Sequence, residues 1–238
     1  MNASPVSAVA PLPNPGHRRS DLRAVIGFSV AALVLVAIGP SVLPDFMVNN
    51  LIRAFLYAVV ALTVDILWGY TGILTFGQSA FFGIGAYSVG LIFTHMEFSP
   101  EHAALALGAS ILVSVAVAAL VGWLAFYQGA SPLYASVVTL VLPIIVVQIL
   151  YSGGNFTGSS SGLSGFESFD VEINTWFWIT GAFLVVVTAL GWLFVRSDAG
   201  RVLVAIRENE SRCEYLGINV SRVKILLMVV TAVIAAVA

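Results

Sequence analysis

Charged residues are scarce in this sequence: they make up 9% of its 238 residues, whereas 59% are hydrophobic. A soluble domain of this length needs about 25% charged residues, so the composition excludes a soluble protein. The mean hydropathy is +1.00, and apolar runs near the roughly 20 residues needed to cross a bilayer recur along the chain. The formal net charge of -2 provides no basic surface, and we expect no nucleic-acid partner.

Cysteine is nearly absent as well, since Cys213 is the single one. This excludes an internal disulfide framework and a cysteine-rich metal site. His95 and His102 have no partner at metal-ligand spacing, so we expect no metal. A Gly–Ser stretch over 152–165 lacks the lysine of a phosphate-binding loop. It is either a flexible outside loop or a contact for a delivered solute or binding protein. Paired acids and nucleophile–base spacings are missing, and we expect no catalytic residues.

The long apolar runs predict an all-α, polytopic transmembrane helix bundle. Residues 1–23 are rich in proline and lack the apolar core of a signal peptide, which predicts a disordered tail, and 24–238 form the membrane domain. The predicted spans cover about 24–43, 50–68, 76–95, 102–127, 132–150 and 174–195, with a seventh run starting near Val223. The expected helix-capping residues are Ser99 and Ser131, each followed by a proline, together with Asn49 and Asn174.

The basic residues fix a predicted orientation. Three precede the first span, one lies in the second, and six follow the sixth: Arg18, Arg19, Arg23; Arg53; Arg196, Arg201, Arg207, Arg212, Arg222 and Lys224. An even number of spans separates the two basic segments, so both face one side, and the positive-inside rule makes that side the cytoplasm. The opposite loops carry only acidic charges: Asp45, Glu97, Glu101, Glu167, Asp170 and Glu172.

Two features interrupt the regular spans. Residues 68–78, WGYTGILTFGQ, have three glycines within an apolar segment, which predicts a broken helix covered by protein or lining a cavity. Pro143 lies in the middle of the fifth span and is expected to kink it. Gly83, Ala86 and Gly90 fall on one face of the third span and predict close packing of another helix.

Three polar residues within or beside spans are candidates for lining a translocation path. Asp65 is either an interfacial or capping carboxylate or a group that handles substrate or protons. Gln78 and Gln148 either hydrogen-bond neighbouring helices or line a polar pathway.

The charged loop after the sixth span predicts a short amphipathic helix. Ser197 and Asp198 are suited to cap it near Gly200, and Gly217 is suited to end it. Val202, Ile206 and Cys213 are expected to share its apolar face, and Ser221 to cap the next span. Such a helix either docks on a cytoplasmic partner or lies on anionic lipid, and its mixed-sign charges favour the partner.

Three segments together resemble the LivM/UrtC-type permease subunits of ATP-binding-cassette importers, which serve branched-chain amino acids, urea or short amides. The first reads ALTVDILWGYTG over 61–72 and continues FGQSAFFGIGAY over 76–87; the second runs from 133 to 165; the third reads GRVLVAIRENESRCEYLGINV over 200–220.

The resemblance implies that the third segment belongs to a loop, 196–222, coupling the permease to a nucleotide-binding subunit. The residues it assigns to that contact are Arg201, Ala205, Arg207, Glu208, Asn209, Glu210 and Gly217. The first two segments resemble helices along the translocation path, where the candidates are Asp65, Gly72, Gly77, Gln78 and Gln148.

The resemblance further implies no cofactor in this chain, because ATP binds a partner. The implied partners are a sister permease, cytoplasmic ATP-binding subunits and an extracytoplasmic solute-binding protein, at a bacterial cytoplasmic (inner) membrane. It also implies a permease shortened at its C-terminus, so we expect the seventh span to be incomplete. A secondary transporter or channel working without an ATPase, with Asp65 as its ion site, is the alternative.

Overall fold

The computed structural model describes residues 15–96, 98–127, 131–166 and 169–238, with side chains from Arg23 onward. This part of the chain is helical and contains no strand. Its helices are α1 (Pro15–Val42), α2 (Asp45–Thr71), α3 (Gln78–Met96), α4 (Pro100–Phe126), α5 (Pro132–Ser152), α6 (Ile173–Arg196), α7 (Asp198–Glu208), α8 (Glu210–Tyr215) and α9 (Val220–Val237). Glu97 and Glu167, which we counted for the orientation, lie outside the described residues.

Seven of these helices are long and apolar enough to cross a membrane, which confirms the predicted fold class. The seventh of them, α9, begins at Val220, three residues before the predicted start, and its 18 described residues are long and apolar enough to count as a candidate span. The first helix begins at Pro15, within the predicted tail of residues 1–23, and residues 1–14 lie outside the described chain.

Serine–proline pairs start two of the helices as predicted. Ser99 accepts a hydrogen bond from the backbone N–H of His102 at 3.1 Å, and Ser131 accepts one from Tyr134 at 3.3 Å. These side chains satisfy N–H groups that have no partner within the helix.

The two predicted asparagine caps are wrong. Residue Asn49 lies inside α2, whose N-terminal flanking residue is Pro44, and α6 is preceded by Glu172 rather than Asn174. Both helices begin before the predicted spans, α2 at Asp45 and α6 at Ile173. The two asparagines therefore lie inside the helices and not in front of them.

The tightest packing joins α3, α4 and α9 around a core that includes Phe81, Ala118, Ala125, Met228 and Ala232. At its centre the backbones of α3 and α9 touch. A Cβ built on Gly85 would lie 2.1 Å from the carbonyl oxygen of Ala236, so only glycine fits there.

The three residues predicted to pack α3 against another helix are therefore the wrong ones. A Cβ on Gly83 would meet nothing within 4 Å, Ala86 is exposed, and Gly90 faces Leu163 of the Gly–Ser stretch rather than a helix. Gly85, which lies between the predicted positions, makes the close contact because α9 approaches from that side.

Helix α2 packs on α6, and α6 also packs on α1. This side of the bundle is looser. Open crevices of about 240 Å³ and about 420 Å³ lie between α2 and α6 and between α2, α6 and α9. The larger one is lined mainly by aliphatic and phenylalanine side chains.

Candidate functional site

The predicted break near 68–78 is a non-helical connection over 72–77 that joins α2 to α3. Helix α2 ends because Gly72 adopts a left-handed conformation, with φ +73°, while its N–H still bonds the carbonyl of Trp68 at 3.0 Å. Helix α5 then satisfies part of the connection: Ser136 donates to the carbonyl of Leu74 at 2.7 Å, and the N–H of Phe76 donates to Thr139 at 3.3 Å. Helix α5 thus covers part of this irregular backbone, as is needed at membrane depth, while Gly72 and Phe76 are exposed.

A buried polar cluster follows the connection at the start of α3. The Gln78 side chain lies between Thr63 of α2 and Thr231 of α9, at 3.4 Å and 3.3 Å, and all three are almost fully buried. Both threonine hydroxyls also lie close to carbonyls of their own helices, at 2.6 Å for Thr63 and 2.9 Å for Thr231.

This arrangement leaves the Gln78 amide only half satisfied. A hydroxyl has one proton, and the shorter contacts direct it to the helix carbonyls, so the threonine oxygens act mainly as acceptors. The Gln78 Nε2 donor is therefore well matched to Thr231, while its Oε1 competes with a carbonyl for the Thr63 proton. The cluster joins three helices with weak bonds and keeps a polar acceptor inside the membrane domain.

The other candidate path residues lie in different places. Gly77 is buried against Thr139 and Leu142 of α5. Asp65 is exposed and lines the crevice between α2 and α6 as well as a second one beside α1. Gln148 is exposed on α5. The contacts therefore connect Gln78 with α2 and α9 and Gly77 with α5, and place Asp65 on the α6 side.

The charged loop forms two helices rather than the single one predicted. Asn209 separates α7 from α8 because its backbone is extended, with φ -162°. It ends α7 by donating its N–H to the carbonyl of Ala205 and caps α8 by accepting from the N–H of Arg212 at 2.9 Å. Sequence reasoning missed this break because asparagine fits both a helix interior and a cap.

Both ends of the loop are defined by local hydrogen bonds. Ser197 accepts from the N–H of Gly200, as predicted. Gly217, with φ +86°, ends α8 as predicted: its N–H bonds the carbonyl of Glu214, and the next N–H, of Ile218, bonds that of Cys213. The predicted cap at Ser221 is wrong, since Asn219 accepts from the N–H of Arg222 at 3.0 Å and starts α9.

Internal contacts hold the loop against the bundle. Ile206 and Cys213, predicted to share a face, are buried together with Val220 of α9. Leu203 packs between Leu67 of α2 and Leu227 of α9.

An ion pair adds to these contacts. The Lys224 ammonium lies 2.6 Å from the Glu210 carboxylate, with side chains 6% and 37% exposed respectively. The lysine is thus the buried partner, and the pair ties α8 to the second turn of α9. Sequence reasoning missed it because the partners are 14 residues apart across a helix boundary.

The predicted coupling residues divide into residues that are simply exposed and residues that contact other helices of the chain. Arg201, Ala205 and Glu208 are exposed, and Arg201 pairs only loosely with Asp198, at 3.5 Å. Arg207 is also exposed but reaches α2, where its guanidinium donates to the carbonyl of Gly69 at 2.5 Å.

Two residues that sequence reasoning missed stand at the tip of the loop. Tyr215 and Leu216 are 92% and 77% exposed. Two adjacent, exposed apolar side chains on a charged loop indicate a contact surface. In the sequence, their position just before Gly217, where the helix ends, was the one sign that they would be exposed.

The Gly–Ser stretch contains two short 3-10 turns, Gly154–Phe156 and Ser159–Ser161. Phe156 packs against the ring of His95, with centroids 4.5 Å apart, and Leu163 faces Gly90. The stretch therefore contacts the end of α3. In the described part of the chain, no three His, Cys, Asp or Glu side chains are grouped to hold a metal ion.

Comparison with known proteins identifies the class. The profile of a family described as the branched-chain amino acid transport system permease component matches residues 46–238. The chain belongs to this family. The match covers the charged loop and six of the seven spans, α2 to α6 and α9. The resemblance to the permease family that the sequence indicated is therefore confirmed. The family is one of membrane-embedded transport subunits, which are not enzymes and carry no cofactor.

Curated relatives agree with this assignment. The chain is 26% identical over 237 residues to the high-affinity branched-chain amino acid transport system permease protein LivM of Salmonella typhimurium, and 25% identical over 242 residues to LivM of Escherichia coli. Each alignment covers 87% of this chain and 55% of the relative, so the chain spans about half the length of these relatives. No solved structure matches significantly.

Proposed function

We propose that this chain is a membrane-spanning permease subunit of an ATP-driven importer for branched-chain amino acids or similar small polar solutes. Family membership over 46–238 supports the transport class. ATP is hydrolysed in a separate cytoplasmic subunit, which acts through the loop 196–222. A sister permease completes the membrane domain, and an extracytoplasmic binding protein delivers the solute.

The orientation is part of the proposal. The charged loop and the N-terminus face the cytoplasm, because nine of the ten basic residues lie in those two segments. The Gly–Ser stretch then faces outside, where the binding protein arrives.

The observation that carries the docking proposal is the construction of the loop. Buried contacts and the Glu210–Lys224 pair hold it in place, while Glu208, Tyr215 and Leu216 remain exposed. A partner can therefore bind a preformed surface without paying to order it. The loop 196–222 contains four acidic and five basic residues, a mixed-sign pattern that suits a protein partner better than anionic lipid.

The contacts identify which acidic residue tests docking. Glu210 is engaged with Lys224, so replacing it disturbs the loop itself, whereas Glu208 is exposed. We expect Glu208→Lys to reduce co-purification with the ATPase at least tenfold. The matched control, Glu101→Lys, reverses an exposed charge at the start of α4, outside the loop, and should leave co-purification unchanged. Equal association of both variants with the ATPase would contradict the docking proposal.

Leucine serves as the probe of function. The chain is reconstituted in liposomes with its sister permease, the ATPase and the binding protein, and uptake of radiolabelled leucine is followed with and without ATP on the ATPase side. We expect uptake only with ATP and binding protein. Uptake driven by an ion gradient without the ATPase, and lost in Asp65→Asn, would instead favour the secondary transporter.

For the solute path we propose the region around Gly72, Gly77 and Gln78. The irregular backbone there and the half-satisfied amide of Gln78 support a polar route through the membrane domain. Asp65 and Gln148 remain candidates at its margins.

A further inference from the structure

Arg207 makes a contact that a residue serving only a cytoplasmic partner would not need. It lies in the last turn of α7, and its guanidinium donates to the carbonyl of Gly69, 138 residues earlier. Its stem lies over Gly72: a Cβ on that glycine would be 3.0 Å from Cγ of Arg207. The arginine therefore contacts the final turn of α2 at a free carbonyl and at the residue that ends the helix.

That final turn leads directly into the α2–α3 connection. The connection bonds to α5 through Ser136 and Thr139, and it ends at Gln78, beside Thr63 and Thr231. A displacement of Gly69 relative to α5 must therefore change the geometry of the connection or of the buried polar cluster. A continuous series of contacts therefore runs from Arg207 in the loop, through the α2–α3 connection, to Gln78 in the interior of the bundle.

The Arg207 bond is not what holds α7 in place. Leu203 packs between Leu67 and Leu227, and Ile206 is buried against Cys213 and Val220. These apolar contacts anchor the helix, whereas the Arg207 contact with Gly69 is a single solvent-exposed hydrogen bond. Removing the guanidinium should therefore leave the loop folded.

We propose that Arg207 is a positioning residue that transmits movement of α7 to the end of α2 and, through the α2–α3 connection, to the Gln78 cluster. The inference rests on the proposed function, because it assumes that an ATPase moves the loop. In this proposal Arg207 links the loop to the membrane helices, whereas Glu208, the next residue, belongs to the surface that docks on the ATPase.

The test separates association from transmission. Arg207→Ala is assembled with the ATPase, sister permease and binding protein, and four quantities are measured: co-purification, ATP hydrolysis, leucine uptake and the rate at which maleimide labels Cys213. Cys213 is the single cysteine of the chain and is buried against Ile206 and Val220, so its labelling rate reports whether the loop remains packed. Arg23→Ala, which removes an exposed arginine from α1, outside the loop, is the control.

We expect Arg207→Ala to keep co-purification and Cys213 labelling within twofold of the unmodified chain while leucine taken up per ATP hydrolysed falls at least tenfold. Arg207→Lys, which keeps a charged donor, should recover at least threefold of that loss, and Arg23→Ala should behave like the unmodified chain.

Three results would overturn the inference. Uptake per ATP within twofold of normal would show that the contact transmits nothing. A parallel loss of co-purification would make Arg207 a docking residue, and labelling of Cys213 raised more than fivefold would make it only a structural one. If the unmodified assembly shows no ATP-driven uptake, the proposed function fails, and this inference fails with it.

Discussion

The two sides of the helix bundle are packed differently, although both are built from apolar residues. Around α3, α4 and α9, glycine and alanine let the backbones touch, as at Gly85 and Ala236. Around α2 and α6, larger residues such as Phe183 and Leu190 border open crevices. Lipid tails are as apolar as leucine, so helices associate in a bilayer through shape and close contact. We therefore expect the first side to behave as a fixed unit and any movement to involve α2 and α6.

The largest effect is expected from replacing the glycine at which the backbones of α3 and α9 touch. In Gly85→Ala the added methyl carbon would lie 2.1 Å from a backbone oxygen, which only a shift of a whole helix can relieve. We expect a loss of more than about 3 kcal/mol, above the usual cost of overpacking, measured as thermal unfolding in detergent. Gly83→Ala, two residues away with nothing within 4 Å, is the control. Equal stability of the two variants would show that α3 and α9 do not form a fixed unit.

The second effect concerns the attachment of α9 to the loop and should be asymmetric. Glu210→Gln leaves the buried Lys224 ammonium without its countercharge and should cost about 3 kcal/mol. Lys224→Met leaves Glu210, which is 37% exposed and can be hydrated, so it should cost about 1 kcal/mol or less.

Maleimide labelling of Cys213 and thermal unfolding both measure this asymmetry. Asp198→Asn, which breaks the exposed pair with Arg201, should change stability by less than about 0.5 kcal/mol. Equal costs for Glu210→Gln and Lys224→Met would contradict burial of the lysine.

A smaller effect is expected where the two sides meet. Gln78→Leu removes the bond to Thr231 and the weak contact with Thr63, and interhelical bonds of this type contribute about 0.6 kcal/mol in membranes. We therefore expect a slight loss of thermal stability together with a larger loss of leucine uptake. Ser88→Ala, which removes a hydroxyl bonded to its own helix, should alter neither. Unchanged uptake in Gln78→Leu would remove Gln78 from the proposed path.

The last prediction concerns the loose side, where a gain in stability is expected rather than a loss. Gly191 borders two crevices, and a Cβ there would lie 3.4 Å from Ile66, an ordinary contact distance. Gly191→Ala should stabilise the protein by about 1 kcal/mol, through helix propensity and the added contact. Gly108→Ala, with nothing within 4 Å, should gain the propensity part alone. A destabilised Gly191→Ala would show that the α2–α6 side is as tightly packed as the other.

The sequence predicted those features that depend on local chemistry. Apolar length fixed the number of spans, and the caps at Ser99 and Ser131 and the stop at Gly217 follow from neighbouring residues. The break at Asn209 was missed because the same residue type suits two local structures.

Features that depend on distant neighbours were not accessible in this way. Gly85 is distinguished from Gly83 only by the approach of α9, and the Arg207 contact with Gly69 joins residues far apart in the chain. The resemblance assigned Arg207 and Glu210 to a partner because it compares residue types, whereas their internal contacts appear only when the helices are assembled.

The contact between Gly85 and Ala236 also limits where anything can permeate. A seam that cannot accept one methyl group has no room for a water molecule, a lipid chain or an amino-acid side chain. The proposed path at Gln78, which itself contacts α9, must therefore leave the interface between α3 and α9 before it reaches Gly85, where the two backbones close off the space between these helices.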